Sequence, residues 1–361
     1  MNALVVSLNF NPGHFSHLIA NYKLFEDCGY NSYLYIHESF NQMDEKNVYK
    51  KFNNPHMLFS KLKKIDVAVF WFPSIKNIFE IIRLRFLYRT KIIYIYHEPF
   101  DSIKKYYNSG FRFKKITKIC LINLVNIPVI FFSHRIVLPS ASAFSLYKKK
   151  YTILNNNYTL IPLLFDDETD ALLEKVPKQF ISYIGTVTAD HVFDRFVNFV
   201  EYALKNECFS DLFFLIATAS KIPLKEKQIL SPYLESGKLI IHEGRPMTNE
   251  EINQYYRASL VIWNAYNRSM QSGVLPKAYM FGAAVIGTYH CNNEFIENHI
   301  TGVLVEDNKN IIEIKNAVKE IIDKKELFFR NCRNKFFENF YYKNRMKDFI
   351  SFLQNKHVSN S

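Results

Sequence analysis

The chain has 361 residues, 48% hydrophobic and 22% charged, with a formal net charge of +12. This composition excludes a disordered or fibrous chain, and the length exceeds one ordinary core while suiting two α/β domains of roughly 150–190 residues each. Residues 1–165 carry 22 Lys and Arg against 9 Asp and Glu, whereas residues 166–361 carry 24 against 25. The excess lies in the first half, which points to an anionic membrane surface or nucleic acid as its partner, or to a solvated lysine-rich face. The cysteines Cys28, Cys120, Cys208, Cys291 and Cys332 are far apart and form no CxxC. That pattern argues against a disulfide framework or a zinc site and fits a reducing cytoplasm. No basic n-region or A-x-A-like cleavage site opens the sequence, so no signal peptide is expected.

In chain order, Ala3–Leu8 reads as a buried strand, and a helical pattern follows from His14 to Asp27, stopped by Gly29. Tyr33–Ile36, Val67–Phe72, Ile92–Tyr96 and Ile136–Leu138 read as further strands. The longest apolar stretch, Ile116 to Phe132, contains Lys118, Asn123, Asn126 and Pro128. It reads as a buried helix running into a strand, short of a spanning helix of about 20 residues. No transmembrane segment is expected. Composition changes over 141–175, through a lysine run, an asparagine run and an acidic cluster at Asp166–Glu168 and Asp170. The linker is expected near 160–177, giving domains at 1–165 and 166–340 and a closing helical segment at 341–361 that packs back on the first. Strands at Phe180–Ile184, Leu212–Ala217, Leu239–His242, Leu260–Trp263 and Ala284–Gly287 alternate with helices at Phe193–Leu204, Asn249–Ala258 and Val274–Phe281. From about Ile311 the pattern is helical. Two doubly wound, Rossmann-like α/β sheets are predicted.

Ligands of doubly wound sheets bind at the carboxyl ends of the strands. Ser272, Gly273 and Val274 fall where a helix begins, and free N–H groups there suit a diphosphate. Lys277 would add a charge at the same end. A plain N-cap is the alternative reading. In the first half, the run Tyr94–Phe100 delivers His97 and Glu98 to the end of a strand. His97 there suits a polarising group or general base, with Glu98 as base or as its orienting partner. Gly13 and His14 follow the first strand and are a second acceptor-side candidate, unless they only close the turn.

The stretch 267–305 resembles the donor-binding region of GT-B glycosyltransferases, especially the large retaining family typified by sucrose and mannosyl transferases. The residues that carry the likeness are Gly282–Ile286 (Gly-Ala-Ala-Val-Ile), Asn293–Ile296 and Gly302–Val305. Weaker matches are Phe180–Gly185, His242–Pro246 and Pro12-Gly13-His14. The resemblance implies two Rossmann-like domains facing across a cleft, with the donor on the second and the acceptor on the first. It implies donor contacts from Gly185, Thr186 and Arg245, and from Glu294, which precedes a helix. Ser269 and Lys277 stand where the family has glutamates; a lysine cannot accept the hydrogen bonds of ribose hydroxyls. The implied activity is transfer of a hexosyl group, with retention, from a nucleoside-diphosphate sugar. The implied acceptor is a lipid-linked glycan of bacterial surface polysaccharide or lipopolysaccharide O-antigen synthesis. No cofactor or metal is expected, since no Asp-x-Asp element falls in a suitable position.

Lys104, Lys105, Arg112, Lys114, Lys115 and Lys118 alternate with aromatic and aliphatic residues and no acid. Arg83, Arg85, Arg89 and Lys91 form a second cluster. Such segments suit an anionic membrane surface, here the inner face of the cytoplasmic membrane, more than nucleic acid. A sugar-nucleotide-binding scaffold without catalysis and, further off, a nucleic-acid-binding protein are the rival readings.

Overall fold

A computed structural model describes the chain except residues 45–47, 72–73, 171–172, 174–175, 292–293 and 355–361. It divides into two compact units: Met1–Asp166 with the stretch from Asn339 onward, and Asp167–Glu338.

Unit 1 is built on seven strands: β1 (Asn2–Ser7), β2 (Asn31–Ile36), β3 (Lys51–Phe52), β4 (Val67–Trp71), β5 (Lys91–Ile95), β6 (Arg135–Leu138) and β7 (Tyr158–Leu160). All pairings are parallel, in the order β3-β2-β1-β4-β5-β6-β7. Parallel strands need crossovers, and the helices that make them cover both faces, so β1 and β4 are apolar along almost their whole length. The helices are α1 (Phe15–Asp27), α2 (Pro55–Lys61), α3 (Ile75–Leu87), α4 (Ile103–Asn108), α5 (Phe113–Phe132) and α6 (Ala141–Lys150). Gly29, at φ +82, ends α1 in the left-handed conformation that glycine adopts without strain, while the Tyr30 N–H closes back on the Phe25 carbonyl.

The expected helix-then-strand over 116–132 is instead one continuous helix, α5, with Pro128 inside it. It is largely exposed: only Ile116, Asn126, Val129 and Ile130 are buried. Its inward side is fastened by polar contacts, with the Tyr94 hydroxyl donating to Asn126 Oδ1 at 2.6 Å and the Tyr151 hydroxyl to Asn123 Oδ1 at 2.7 Å.

Unit 2 carries β8 (Phe180–Ile184), β9 (Phe213–Ala217), β10 (Leu239–His242), β11 (Ser259–Trp263), β12 (Ala284–Thr288) and β13 (Gly302–Val305), in the order β10-β9-β8-β11-β12-β13. These six are also paired parallel. The helices α7 (Phe193–Lys205), α8 (Leu224–Leu230), α9 (Asn249–Ala258), α10 (Val274–Met280), α11 (Ile311–Asp323) and α12 (Lys325–Asn339) complete it. The chain then returns to unit 1 as α13 (Tyr342–Gln354), where Phe349 meets Phe25 edge-on at 5.5 Å and the Tyr342 N–H donates to the Phe165 carbonyl at 3.0 Å.

The acidic run at the crossover is paired within its own unit. Asp166 meets Lys23 in unit 1. In unit 2, Asp167 meets Arg333 at 2.9 Å, Glu168 meets Lys277 at 3.0 Å and Asp170 meets Arg257 at 2.9 Å. Residue Phe72, expected to end a strand, lies outside the described residues, and β4 is described as far as Trp71.

Candidate functional site

In unit 2 the strand order reverses between β8 and β11. Loops leaving their carboxyl ends run in opposite directions, and the space between them is where such a sheet binds ligand. Gly185 follows β8 at φ +146, a conformation that residues with a side chain rarely adopt, and its N–H donates to the Ala217 carbonyl at 3.0 Å. A side chain there would begin 3.7 Å from Val274 Cγ2, so Gly185 adjoins the first residue of α10.

The two loops are tied together. The Tyr183 hydroxyl donates to the Thr186 carbonyl at 2.7 Å, and the Asn267 N–H donates to the Asp190 carbonyl at 2.8 Å. The His191 ring stacks on Tyr266 with centroids 4.1 Å apart and planes 16° from parallel. Ser272 Oγ accepts the Val274 N–H at 3.2 Å, so one amide of this short helix is already capped.

Gly185, Thr186, Ser272, Gly273 and Val274 are thus brought together. The same loops hold groups that sequence reasoning missed. Thr188 Oγ1, Asp190 Oδ1 and Asn264 Oδ1 are buried without a hydrogen-bond partner in the protein, and Asn264 is only 5% exposed. A buried polar atom left unmet costs about 1–3 kcal/mol, which a ligand hydroxyl or a water would recover. The signal for Asn264 was its position directly after a buried strand. A carboxylate at Asp190 suits hydroxyls and repels phosphate, so it fits the sugar end of a ligand.

Two expected donor contacts, Lys277 and Arg245, are engaged within the protein, and a third, Glu294, lacks the helix expected after it. Lys277 is buried, and its ammonium donates to Glu168 Oε2 at 3.0 Å, Asn249 Oδ1 at 2.9 Å and Asn253 Oδ1 at 2.6 Å. All three of its N–H bonds are spent inside the protein, so in this arrangement none remains for a phosphate. Burial pulls its pKa down, and the charge of Glu168 opposes that pull. Arg245 is exposed and forks onto Glu251, meeting Oε2 at 3.0 Å. Glu251 is the acid of the capping box that Thr248 forms at the start of α9. Glu294 is exposed in a turn, and no helix follows it; the chain runs through a turn into β13. Asn293, beside it, lies outside the described residues.

In unit 1 the reversal lies between β1 and β4, with β5 next in line. Gly13 and His14 sit in a helical turn after β1, where Asn11 Oδ1 accepts the Gly13 N–H at 3.1 Å. His97 is half-buried two residues past β5, with Glu98 exposed beside it. His17, which sequence reasoning passed over, is buried in the first turns of α1. Its Nδ1–H donates to the Leu164 carbonyl at 3.1 Å, and its ring lies flat against Trp71 at 5.2 Å, at the end of β4. Burial holds His14 well below the ordinary 6.5, and repulsion from His17 and His97 lowers it further. Burial also lowers His97, with Glu98 pulling the other way. The carboxyl ends of β1, β4 and β5 therefore bring the imidazoles of His14, His17 and His97 near one another, and burial favours the neutral form of His14 and His97.

Among the described residues no group of three His, Cys, Asp or Glu side chains could hold a metal ion.

No protein-family model and no curated protein matches the sequence. Solved structures do match along the whole chain. HepE of Anabaena, in complex with UDP and glucose, superposes with a TM-score of 0.71 at 11% identity over 98% of this chain and 99% of that one. The chain has the GT-B fold. Sucrose-phosphate synthase of Thermosynechococcus elongatus follows at a TM-score of 0.65 and 12% identity, covering 98% of each chain. The lipopolysaccharide glycosyltransferase WaaG gives 0.62 at 9% identity over 98% of this chain and 100% of that one. Within this GT-B chain, the loops after β8 and β11 are the part of unit 2 where the fold's topology opens a binding crevice.

Lys277→Met is expected to destabilise unit 2 by about 1–3 kcal/mol, because it leaves the part-buried Glu168 carboxylate without its cation, held only by the Asn249 and Asn253 amides. Adding Glu168→Gln should return much of that loss in urea unfolding, whereas a phosphate-binding role for Lys277 predicts intact stability with weakened ligand binding. A second expectation concerns pH. Burial lowers the pKa of His14 and His97 in the folded state, while the unfolded chain protonates them near the ordinary 6.5. Below that value the unfolded state binds more protons, so stability is lost as pH falls through about 6.5 and is flat above it. Urea midpoints at about pH 5 and pH 7 should differ in that direction, and His14→Gln with His97→Gln should narrow the difference.

Proposed function

We propose that the protein is a glycosyltransferase that moves a hexosyl group from a nucleoside-diphosphate sugar to a hydroxyl of a lipid-linked glycan. The reading is carried by the fold likeness over 98% of the chain to HepE, a protein solved with UDP and glucose. The joined loops after β8 and β11, with their unmet polar atoms, support it. The acceptor belongs to bacterial surface polysaccharide or lipopolysaccharide synthesis, a reading supported by the likeness to WaaG and by the basic first half. The protein then works at the inner face of the cytoplasmic membrane.

In this reading unit 2 binds the donor. The diphosphate lies against the backbone of Gly185–Thr186 and Ser272–Val274, where the glycines let an anion approach the main chain. Asn264 and Asp190 take hydroxyls of the sugar. Unit 1 binds the acceptor, and neutral His97 accepts the proton of the attacking hydroxyl while Glu98 steadies the imidazolium that forms. The bond from the anomeric carbon to the phosphate oxygen breaks, and the acceptor oxygen bonds to that carbon. The diphosphate leaves with the electron pair. The acceptor oxygen attacks from the same face that the diphosphate leaves, so the product keeps the donor's anomeric configuration, which proton NMR of the linkage reads directly.

Calorimetry against UDP, UDP-glucose and other nucleotide sugars tests the donor site. Gly273 sits at φ −64, so Gly273→Asp fits the backbone and sets a carboxylate against the diphosphate. Donor affinity should fall by at least about tenfold with unfolding unchanged. His97→Ala should keep donor affinity and lower turnover by about a hundredfold or more. Full donor affinity in Gly273→Asp would refute the site.

A further inference from the structure

About half of the large apolar side chains exposed among the described residues fall in one stretch of unit 1, between residues 75 and 131. They are not scattered. Along α3, Ile75, Phe79, Ile82 and Phe86 recur at helical spacing and point outward, while Asn77, Ile81 and Leu84 occupy the buried side. Along α5, Phe113, Leu121, Leu124 and Phe131 form a second outward stripe, each at least 59% exposed. The two helices are clasped together. The Arg85 guanidinium donates to the Phe132 carbonyl at 2.5 Å, and Phe86 meets Phe132 edge-on at 6.1 Å. The stripes therefore adjoin, and a contiguous apolar patch of this kind marks a place where something other than water is meant to sit.

The charges around the patch say what that is. Between Asp101 and Asp166 the sequence has no acidic residue. Lys114, Lys115 and Lys118 are exposed in the first turns of α5, and Arg83, Arg85 and Arg89 gather at the end of α3. The acid of α3, Glu80, is 8% exposed and paired with Arg83 at 3.3 Å. A second copy of this chain would bring one positive rim against another. Bases could stack on the phenylalanines, but a nucleic acid would gain nothing from Ile75, Ile82, Leu121 and Leu124 set between them, which offer neither hydrogen bonds nor stacking faces. Anionic lipid meets both features, with headgroups for the cations and acyl chains for the stripes.

By length and composition α5 could cross a membrane. However, Ile116, Val129 and Ile130 are buried in unit 1 and Asn126 is hydrogen-bonded to Tyr94, so one side of the helix stays with the protein. The other side can only lie in the interface.

We infer that the outer faces of α3 and α5 form a lipid-inserting surface that docks the protein, with α5 in the plane of the headgroups, on an anionic bilayer. In a parallel α/β sheet the helix after a strand starts at that strand's carboxyl end. α3 follows β4, and α5 follows β5 by way of the short α4, so the surface begins at the same end of the sheet as Trp71 and His97. A glycan on a lipid carrier held in the bilayer is thereby offered to that end. The docking surface stands without the transferase reading; only this delivery of acceptor rests on it.

Co-sedimentation of the full chain with phosphatidylcholine vesicles, with and without phosphatidylglycerol, tests the inference, and UDP calorimetry on the same samples reports unit 2 separately. The protein should bind the anionic vesicles, and binding should fall as salt rises. Replacing Lys114, Lys115 and Lys118 with glutamine should weaken it by about tenfold or more. The set Phe79→Ser, Leu121→Ser and Leu124→Ser should abolish stable binding while unfolding temperature stays unchanged, since these side chains are exposed. Absence of vesicle binding by the parent chain would overturn the inference. So would a dimer that the serine set dissociates, or nucleic-acid binding that the serine set leaves intact in place of vesicle binding. Vesicle binding without UDP affinity would keep the surface and sink the transferase reading, and the reverse result would do the opposite.

Discussion

The whole molecule depends on one constraint: strands that run parallel must be joined by crossovers, and crossovers of one hand put helices on both faces of the sheet. Each unit winds outward in two directions from a central pair, β1 and β4 in one, β8 and β11 in the other. At that pair the loops part, and polar groups can collect there without crossing a packed layer. In unit 2 this is where Asn264, Asp190 and Thr188 carry unmet atoms. In unit 1 it is where the imidazoles of His14 and His17 and the ring of Trp71 meet. Chemistry is thus confined to one end of each sheet by the same rule that makes the sheets.

Much of that frame could be read from residue pattern. The central strands are short runs of Val, Ile, Leu and aromatic residues closed by Gly, Pro or a polar residue, because both of their faces are covered. The edges were harder. β3 has 2 residues and β7 has 3, too few for any period to emerge. The apolar run of α5 was read as burial because sequence records hydrophobicity and not what surrounds it; the helix faces outward over most of its circumference. Its inward face is marked by Asn123 and Asn126, whose partners Tyr151 and Tyr94 come from other elements.

The site divides in the same way. The placement of Gly185, Thr186 and the segment 272–274 can be read from sequence because each directly follows a strand or opens a helix. The place of Lys277 just inside a helix suggests a phosphate, while the carboxylate its ammonium meets, Glu168, lies 109 residues away in the chain, beyond what local sequence shows. Arg245 is suggested by its place after the strand β10, and its partner Glu251 belongs to the capping box of the next helix. His17 carried no motif, and its role as a packed neighbour of Trp71 follows only from the order of the strands.

The proposed donor site, formed by the loops after β8 and β11 together, is expected to hold a nucleoside-diphosphate sugar. Amide hydrogen exchange with and without UDP, read by mass spectrometry, tests this most directly. Added protection is expected only in peptides spanning 185–191 and 264–274, with β10 and α8 unaffected. Protection appearing elsewhere, or no protection at saturating UDP, would contradict it.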